Sequence, residues 1–217
     1  MAKLKIYTYP DDVLTRKALP IERVDKKLYS VADDMLETMY HAPGIGLAAN
    51  QVGLLQRILV IDVDYDMEDL ADLEDGAKPR AGDAGAEVVG TSVYWNKKPQ
   101  IIINPEIVSK EGKILFSEGC LSVPEFTAEV KRSEKLKLSY QDIDGLTRTL
   151  SADGLLAVAI QHEMDHLDGR LFIDRLSPLK KEFVRKKLRQ ERAEREADER
   201  TDSSTFPKPT KKKSREF

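Results

Sequence analysis

Residues 162–166 read His162-Glu163-Met164-Asp165-His166, and they hold two of the three histidines in this 217-residue chain. On a helix, four residues advance about 6 Å and slightly more than one turn. Both imidazoles of H-E-x-x-H therefore lie on one face, with a carboxylate on its flank to handle a proton. Leu155, Val158, Ala159, His162 and His166 form a stripe at helical spacing. The pattern predicts a helix over about 152–167, with Ser151 or Asp153 as N-cap and Gly169 as the stop. Its apolar face points inward, where an isolated charged histidine would be costly. A shared divalent ion resolves that cost.

Two imidazoles leave a tetrahedral ion short of one protein ligand if a fourth position stays open to water. The extended metzincin pattern would place a third His after Gly169, but Phe172 stands there and no later His follows. Glu182 and Glu191 fall in a charge-dense helical stretch that reads as a solvated face. Cys120, the only cysteine, lies in Glu118-Gly119-Cys120-Leu121-Ser122 and has no partner for an internal disulfide. A free Cys is most often a small buried hydrophobe. Beside an incomplete two-His site, its thiolate is the better third ligand.

A third island, Gly44-Ile45-Gly46-Leu47-Ala48-Ala49-Asn50-Gln51-Val52-Gly53, matches the letters of a dinucleotide fingerprint. That fingerprint needs a strand before it and a helix after it. Here the helical pattern of Leu28, Val31, Met35, Leu36 and Met39 precedes, and the strand-like Ile58-Leu59-Val60-Ile61 follows. The island reads instead as a Gly/Ala-rich strand that can lie along an extended substrate, with Gln51 offering an amide to a developing oxyanion.

Taken in order, G-I-G-L-A-A-N-Q, E-G-C-L-S and Q-H-E-M-D-H resemble the peptide deformylases, which remove the formyl group from the N-terminal methionine of new polypeptides. The resemblance covers about residues 1–176 and includes Tyr9-Pro10-Asp11-Asp12 and Ile103-Asn104-Pro105. It implies Cys120, His162 and His166 as ligands of one divalent metal, Fe(II) or zinc in its place. It implies Glu163 as general base and acid, and Gln51 with the Leu121 N–H as oxyanion donors. Gly46 would contact the peptide backbone, and Ile45, Leu155, Val158, Ala159 and the His162 ring would line the methionine pocket. The products are formate and a free N-terminal methionine. The family often has a basic residue seven after the Cys; Thr127 stands there. The other readings are an H-E-x-x-H metallopeptidase, which lacks its downstream ligand, and a ribosome-associated binding protein with a vestigial site.

The fold expectation is α+β, with mixed or antiparallel sheets around a central metal helix and a C-terminal helical extension. A helix is expected over 26–41, and strands over about 57–62, 101–108, 113–117, 128–140 and 146–151. Residues 1–176 form the catalytic domain. Residues 63–99 interrupt it as an acidic, Gly/Ala-rich surface insertion, or as a lid over the cleft. Residues 178–200 are helix-forming, with one apolar stripe of Leu179, Phe183, Val184 and Leu188. From 201 to 217 the composition predicts disorder. Residues 178–217 carry 14 Lys/Arg against 8 Asp/Glu, and the preceding residues carry 21 against 30. A basic extension on an acidic body suits a contact with ribosomal RNA. The N-terminus lacks an apolar leader pattern, and one Cys fits a reducing cytoplasm.

Overall fold

A computed structural model describes residues 2–69 and 86–203. Helix α1 (Lys26–His41) starts where the Asp25 carboxylate accepts from the Leu28 N–H, and its apolar positions Leu28, Ala32, Met35 and Met39 recur on one face. That face lies on a five-stranded sheet. The sheet has the order β1 (Gly46–Ala48), β2 (Ile58–Ile61), β6 (Gln100–Glu111), β9 (Lys135–Gln141), β10 (Thr147–Asp153), each pair antiparallel. Strand alternation gives the sheet two apolar faces. Ile58 and Val60 pack towards α1; Leu59 and Ile61 pack towards helix α2 (Gly154–Leu167).

Helix α2 is buried from Ala157 to Leu167 on every side, so the expected stripe understates its burial. One side packs on the five-stranded sheet. The other meets the hairpin β7 (Ile114–Cys120) and β8 (Val123–Arg132), whose core includes Val123, Val130 and Phe172. The expected architecture is therefore present: helix α2, which carries His162 and His166, lies between two β layers. Asp153 is the N-cap residue, and Gly169 sits at φ 70 just past the helix.

Four expectations are corrected. The single strand over 128–140 is two strands in different sheets. The break at Ser133 is held by Gln161 of α2, whose side chain accepts from the Ser133 N–H at 3.0 Å and donates to its carbonyl at 2.9 Å. That contact is tertiary, so nothing local marks it. Gln51 lies not on a strand but on a 3-10 turn, Ala49–Val52, which folds its Oε1 back to accept from the Ala48 N–H at 2.8 Å.

The described part of the 63–99 insertion is no bare surface loop. Strands β3 (Asp66–Asp69), β5 (Ser92–Trp95) and β4 (Glu87–Val89) form an antiparallel sheet beside α1. Tyr94 is fully buried there, edge-on to Tyr40 and Tyr65, and donates to the Tyr40 carbonyl. The rest of the insertion, residues 70–85, lies outside the described residues, as does the expected disordered tail from 204 onward.

Finally, the stripe of helix α3 (Pro178–Ser203) splits. Val184 and Leu188 are buried against the β7–β8 layer, while Leu179 and Phe183 are 83% and 70% exposed. Among the described residues no helix is long and apolar enough to cross a membrane.

The split gives a direct test. Leu188→Ala is expected to cost about 2–5 kcal/mol in urea unfolding, the range for a buried Leu. Phe183→Ala is expected to change stability by less than about 0.5 kcal/mol, as for an exposed site.

Candidate active site

The three islands converge on one cavity of about 520 Å³. Its walls include Ile45, Gly46, Gln51, Cys120, Leu121, Leu155, Val158, Ala159, His162 and Glu163. Every residue given a catalytic, metal or substrate role in the sequence therefore lines it, except His166, which is buried. No described residue of the 63–99 insertion does, so the lid expectation finds no support among them. Thr127 lies apart, its methyl 3.5 Å from where a Gly119 Cβ would stand.

At the cavity floor, one ligand atom each from Cys120, His162 and His166 lies within 4.8 Å of the others. Sγ of Cys120 is 3.2 Å from Nε2 of His166. Ligands held about 2.0–2.3 Å from a tetrahedral ion lie roughly 3.5 Å apart, so the cluster is of the right size. Phe172, where a metzincin-like third His was sought, stacks on the His162 ring at 5.9 Å.

The sequence reading assigned no role to the group that orients His162. Glu118 accepts from Nδ1 of His162 at 2.8 Å. Burial alone would raise the Glu118 pKa, but the Arg132 guanidinium and His162 override it and hold it at about 2. An ionised carboxylate can only accept, so Nδ1 carries the proton and Nε2 is left free for an ion. Arg132 grips Glu118 bidentately at 2.6 and 2.8 Å and reaches Asp165 at 2.6 Å. Asp165 is gripped in turn by Arg175. Glu118 lies in E-G-C-L-S and Asp165 in Q-H-E-M-D-H. The available clue was their charge inside apolar runs; nothing local pointed to Arg132.

The imidazoles diverge electrostatically when only protein groups surround them. Burial opposes charge on both. At His162, Cys120 and Glu118 outweigh burial and raise the pKa well above its usual value. At His166, burial, His162 and Arg132 push it well below. Glu163 is buried at the cavity wall, and desolvation raises its pKa to about 7. Its Oε2 has no protein partner, nor has Nδ1 of His166. A Cβ on Gly46 would stand 2.6 Å from Oε1 of Glu163, so only glycine leaves room for this carboxyl. Because the Ala48 N–H can only donate, Oε1 of Gln51 must face it. Its amide nitrogen then faces Ser122 Oγ at 3.3 Å and Cys120 Sγ at 3.7 Å.

A family profile of polypeptide deformylases matches residues 3–182. The chain belongs to this family. It is 46% identical over 195 residues to peptide deformylase 2 of Xanthomonas axonopodis pv. citri, covering 88% of the chain and 98% of that relative. A crystal structure of a peptide deformylase from Legionella pneumophila superposes with a TM-score of 0.68 at 35% identity, covering 95% of the chain and all of that one. The peptide deformylase of Ehrlichia chaffeensis in complex with actinonin gives 0.69 at 35%, covering 88% and 98%. The family's activity is the metal-dependent hydrolytic removal of the N-formyl group from nascent peptides, and it is the activity of this chain.

Arg132→Met should cost about 3 kcal/mol in unfolding, the low end for breaking a buried pair, because Glu118 then keeps only His162 and Asp165 only Arg175. The sign with pH is fixed by the lowered Glu118 pKa. Its stabilisation is present above the unfolded value near 4.3 and is lost as pH falls towards about 2. The difference between wild type and variant should shrink over that window, as read by urea unfolding across pH.

Proposed function

We propose that Cys120, His162 and His166 hold one divalent ion, Fe(II) with zinc as a substitute, and that Glu163 is the proton-transfer group of deformylation. The observation that carries this reading is the Cys/His/His cluster at the floor of an apolar cavity, with a fully buried carboxyl at about pKa 7 beside it. When bound, such an ion supplies a Lewis acid and lowers the pKa of water. A thiolate with two imidazoles suits either metal.

The chain's own groups do the rest. Ile45, Leu155, Val158, Ala159 and the His162 ring receive the unbranched methionine side chain, and Gly46 meets the peptide main chain. Glu163 takes a proton from the attacking water and returns it to the departing amine. As charge builds on the formyl oxygen, the Gln51 amide and the Leu121 N–H donate to it. The Ala48–Gln51 hydrogen bond fixes that amide before substrate arrives, so no reorganisation is needed during the reaction.

Residues 1–176 supply this chemistry in our reading. Residues 177–217 form an extension that contacts ribosomal RNA through its positive charge, in a cytoplasmic setting. The docking of Val184 and Leu188, with Arg192 donating to Asp11 and to the Thr8 carbonyl, supports a helix anchored on the body over its first half.

Anaerobically purified protein should contain one ion per chain by elemental analysis and release formate from formyl-Met-Ala. Full metal occupancy without turnover would end the reading. Glu163→Ala should keep the metal and lose at least 100-fold in kcat, the low end for a general acid–base group. Gly46→Ala should also keep the metal but lose much of the rate by displacing Glu163. Because Glu163 must be ionised to act as base, activity should rise with pH through its pKa. A bound cation favours the carboxylate, so this limb should lie at or below about 7.

Truncation after Leu188 should spare activity on the short peptide and abolish salt-sensitive co-sedimentation with ribosomes. Unchanged co-sedimentation would remove the extension from that role.

A further inference from the structure

A second cavity of about 520 Å³ opens between the end of β8, the turn after α2 and the start of α3. It is lined by Lys131, Arg170, Asp174, Arg175, Lys181 and Arg185. Five cations thus face one carboxylate. Asp174 pairs with Lys181 at 2.8 Å and Arg185 at 2.6 Å. The side chains of Lys131 and Arg170 are exposed, with no hydrogen bond or ion pair among the described residues. Nε of Arg185 is buried without a partner. Arg175 reaches out of the pocket to Asp165, which continues through Arg132 and Glu118 to Nδ1 of His162. Over the pocket and this chain, six cations stand against three carboxylates, Asp174, Asp165 and Glu118.

We propose that this pocket binds a phosphate-class dianion and that its occupancy is felt at the metal centre. Concave clusters of Arg and Lys that are not neutralised internally attract phosphoryl oxygens, and guanidinium forks match them bidentately. A group of two to three negative charges balances the excess that the carboxylates leave. An anion seated there competes with Asp165 for Arg175. Asp165 then holds Arg132 differently, and the change reaches the carboxylate that orients His162. The coupling rests on the role proposed for His162; the binding does not. The charge comes either from one free phosphate dianion or from two or three adjacent phosphodiesters of an RNA strand, each with one negative charge, and the same cations serve both.

The test uses the full-chain, metal-loaded protein at constant ionic strength. Inorganic phosphate is titrated calorimetrically, and metal content is measured afterwards. One saturable site per chain is expected, weakened at least tenfold in Lys131→Gln/Arg170→Gln. Both residues are exposed and outside the catalytic cavity, so without phosphate this variant should keep wild-type kcat/KM on formyl-Met-Ala. Saturating phosphate should change kcat at least twofold in the wild type and not in the variant. A short single-stranded RNA that binds more tightly than phosphate, and loses that affinity in the variant, would assign the group to RNA. Absence of saturable binding, or binding untouched by the double substitution, overturns the site. Binding with unchanged kcat overturns the coupling. If no formyl peptide is cleaved at all, calorimetry still decides the site, and the failure belongs to the catalytic reading.

Discussion

Arg132 is 3% exposed and sits between Glu118 at 4% and Asp165 at 6%. Three charges with almost no water around them are costly unless each has its partners, because the Coulombic gain must offset the desolvation of every member. Here the geometry is complete: a bidentate grip on Glu118, a single contact to Asp165, and Arg175 closing the far side. The chain runs from β7 through β8 to α2 and on to the turn before α3. It therefore fixes the separation of the two layers that hold the cluster. Glu118 and Cys120 are two residues apart on one strand, with a register irregularity between them. The sulfur belongs to the Cys/His/His cluster, and the carboxylate orients one imidazole of the same cluster. A shift of β7 would move both together.

Much of this site was legible because spacing on a helix is a geometric statement. His162 and His166 had to share a face, and their number left a ligand to be found. Helix α1 was equally legible, since its apolar period places it over the observed limits Lys26–His41. What escaped reading was settled by contacts between distant segments. The apolar alternation runs past Ser133, and only the Gln161 side chain, 28 residues on, divides β8 from β9. The α3 stripe divides because only Val184 and Leu188 join the buried cluster of Tyr9, Val123, Val130 and Phe172. Arg132 looked like any strand-end cation; its burial is set by two carboxylates from other elements.

The insertion illustrates the same limit from the other side. Its acidic, Gly/Ala-rich opening suggested a surface insertion or a lid, yet at its far end Tyr94 inserts fully into the core under α1. Asp62, 2% exposed, accepts from the Tyr40 hydroxyl at 2.6 Å and the Lys98 N–H at 2.7 Å. The Asp62 N–H donates to the Ile45 carbonyl, and the Tyr65 hydroxyl to the Gly44 carbonyl. The inserted sheet thus never enters the cavity, but its base holds the main chain of the wall where Ile45 and Gly46 stand. A segment added to a fold can shape a site by fixing the backbone behind it.

Glu163 brings stability and chemistry into opposition. Its carboxyl is wholly buried, one oxygen has no protein partner, and its pKa stands at about 7. A carboxyl raised this far above its unfolded value is easier to keep protonated in the fold. Stability is unaffected below the unfolded pKa, falls as pH climbs towards 7, and remains lower beyond it by roughly 3 kcal/mol. Hydrogen-bonding Oε2 within the protein would remove that cost and also remove the acceptor that the proposed proton transfer needs. A cation at the neighbouring Cys/His/His cluster relieves it without occupying the carboxylate, because opposite charge favours ionisation. Gly46 then has a structural reason to lack a side chain: any Cβ would push away the one group whose misfit with its surroundings makes proton transfer near neutral pH accessible.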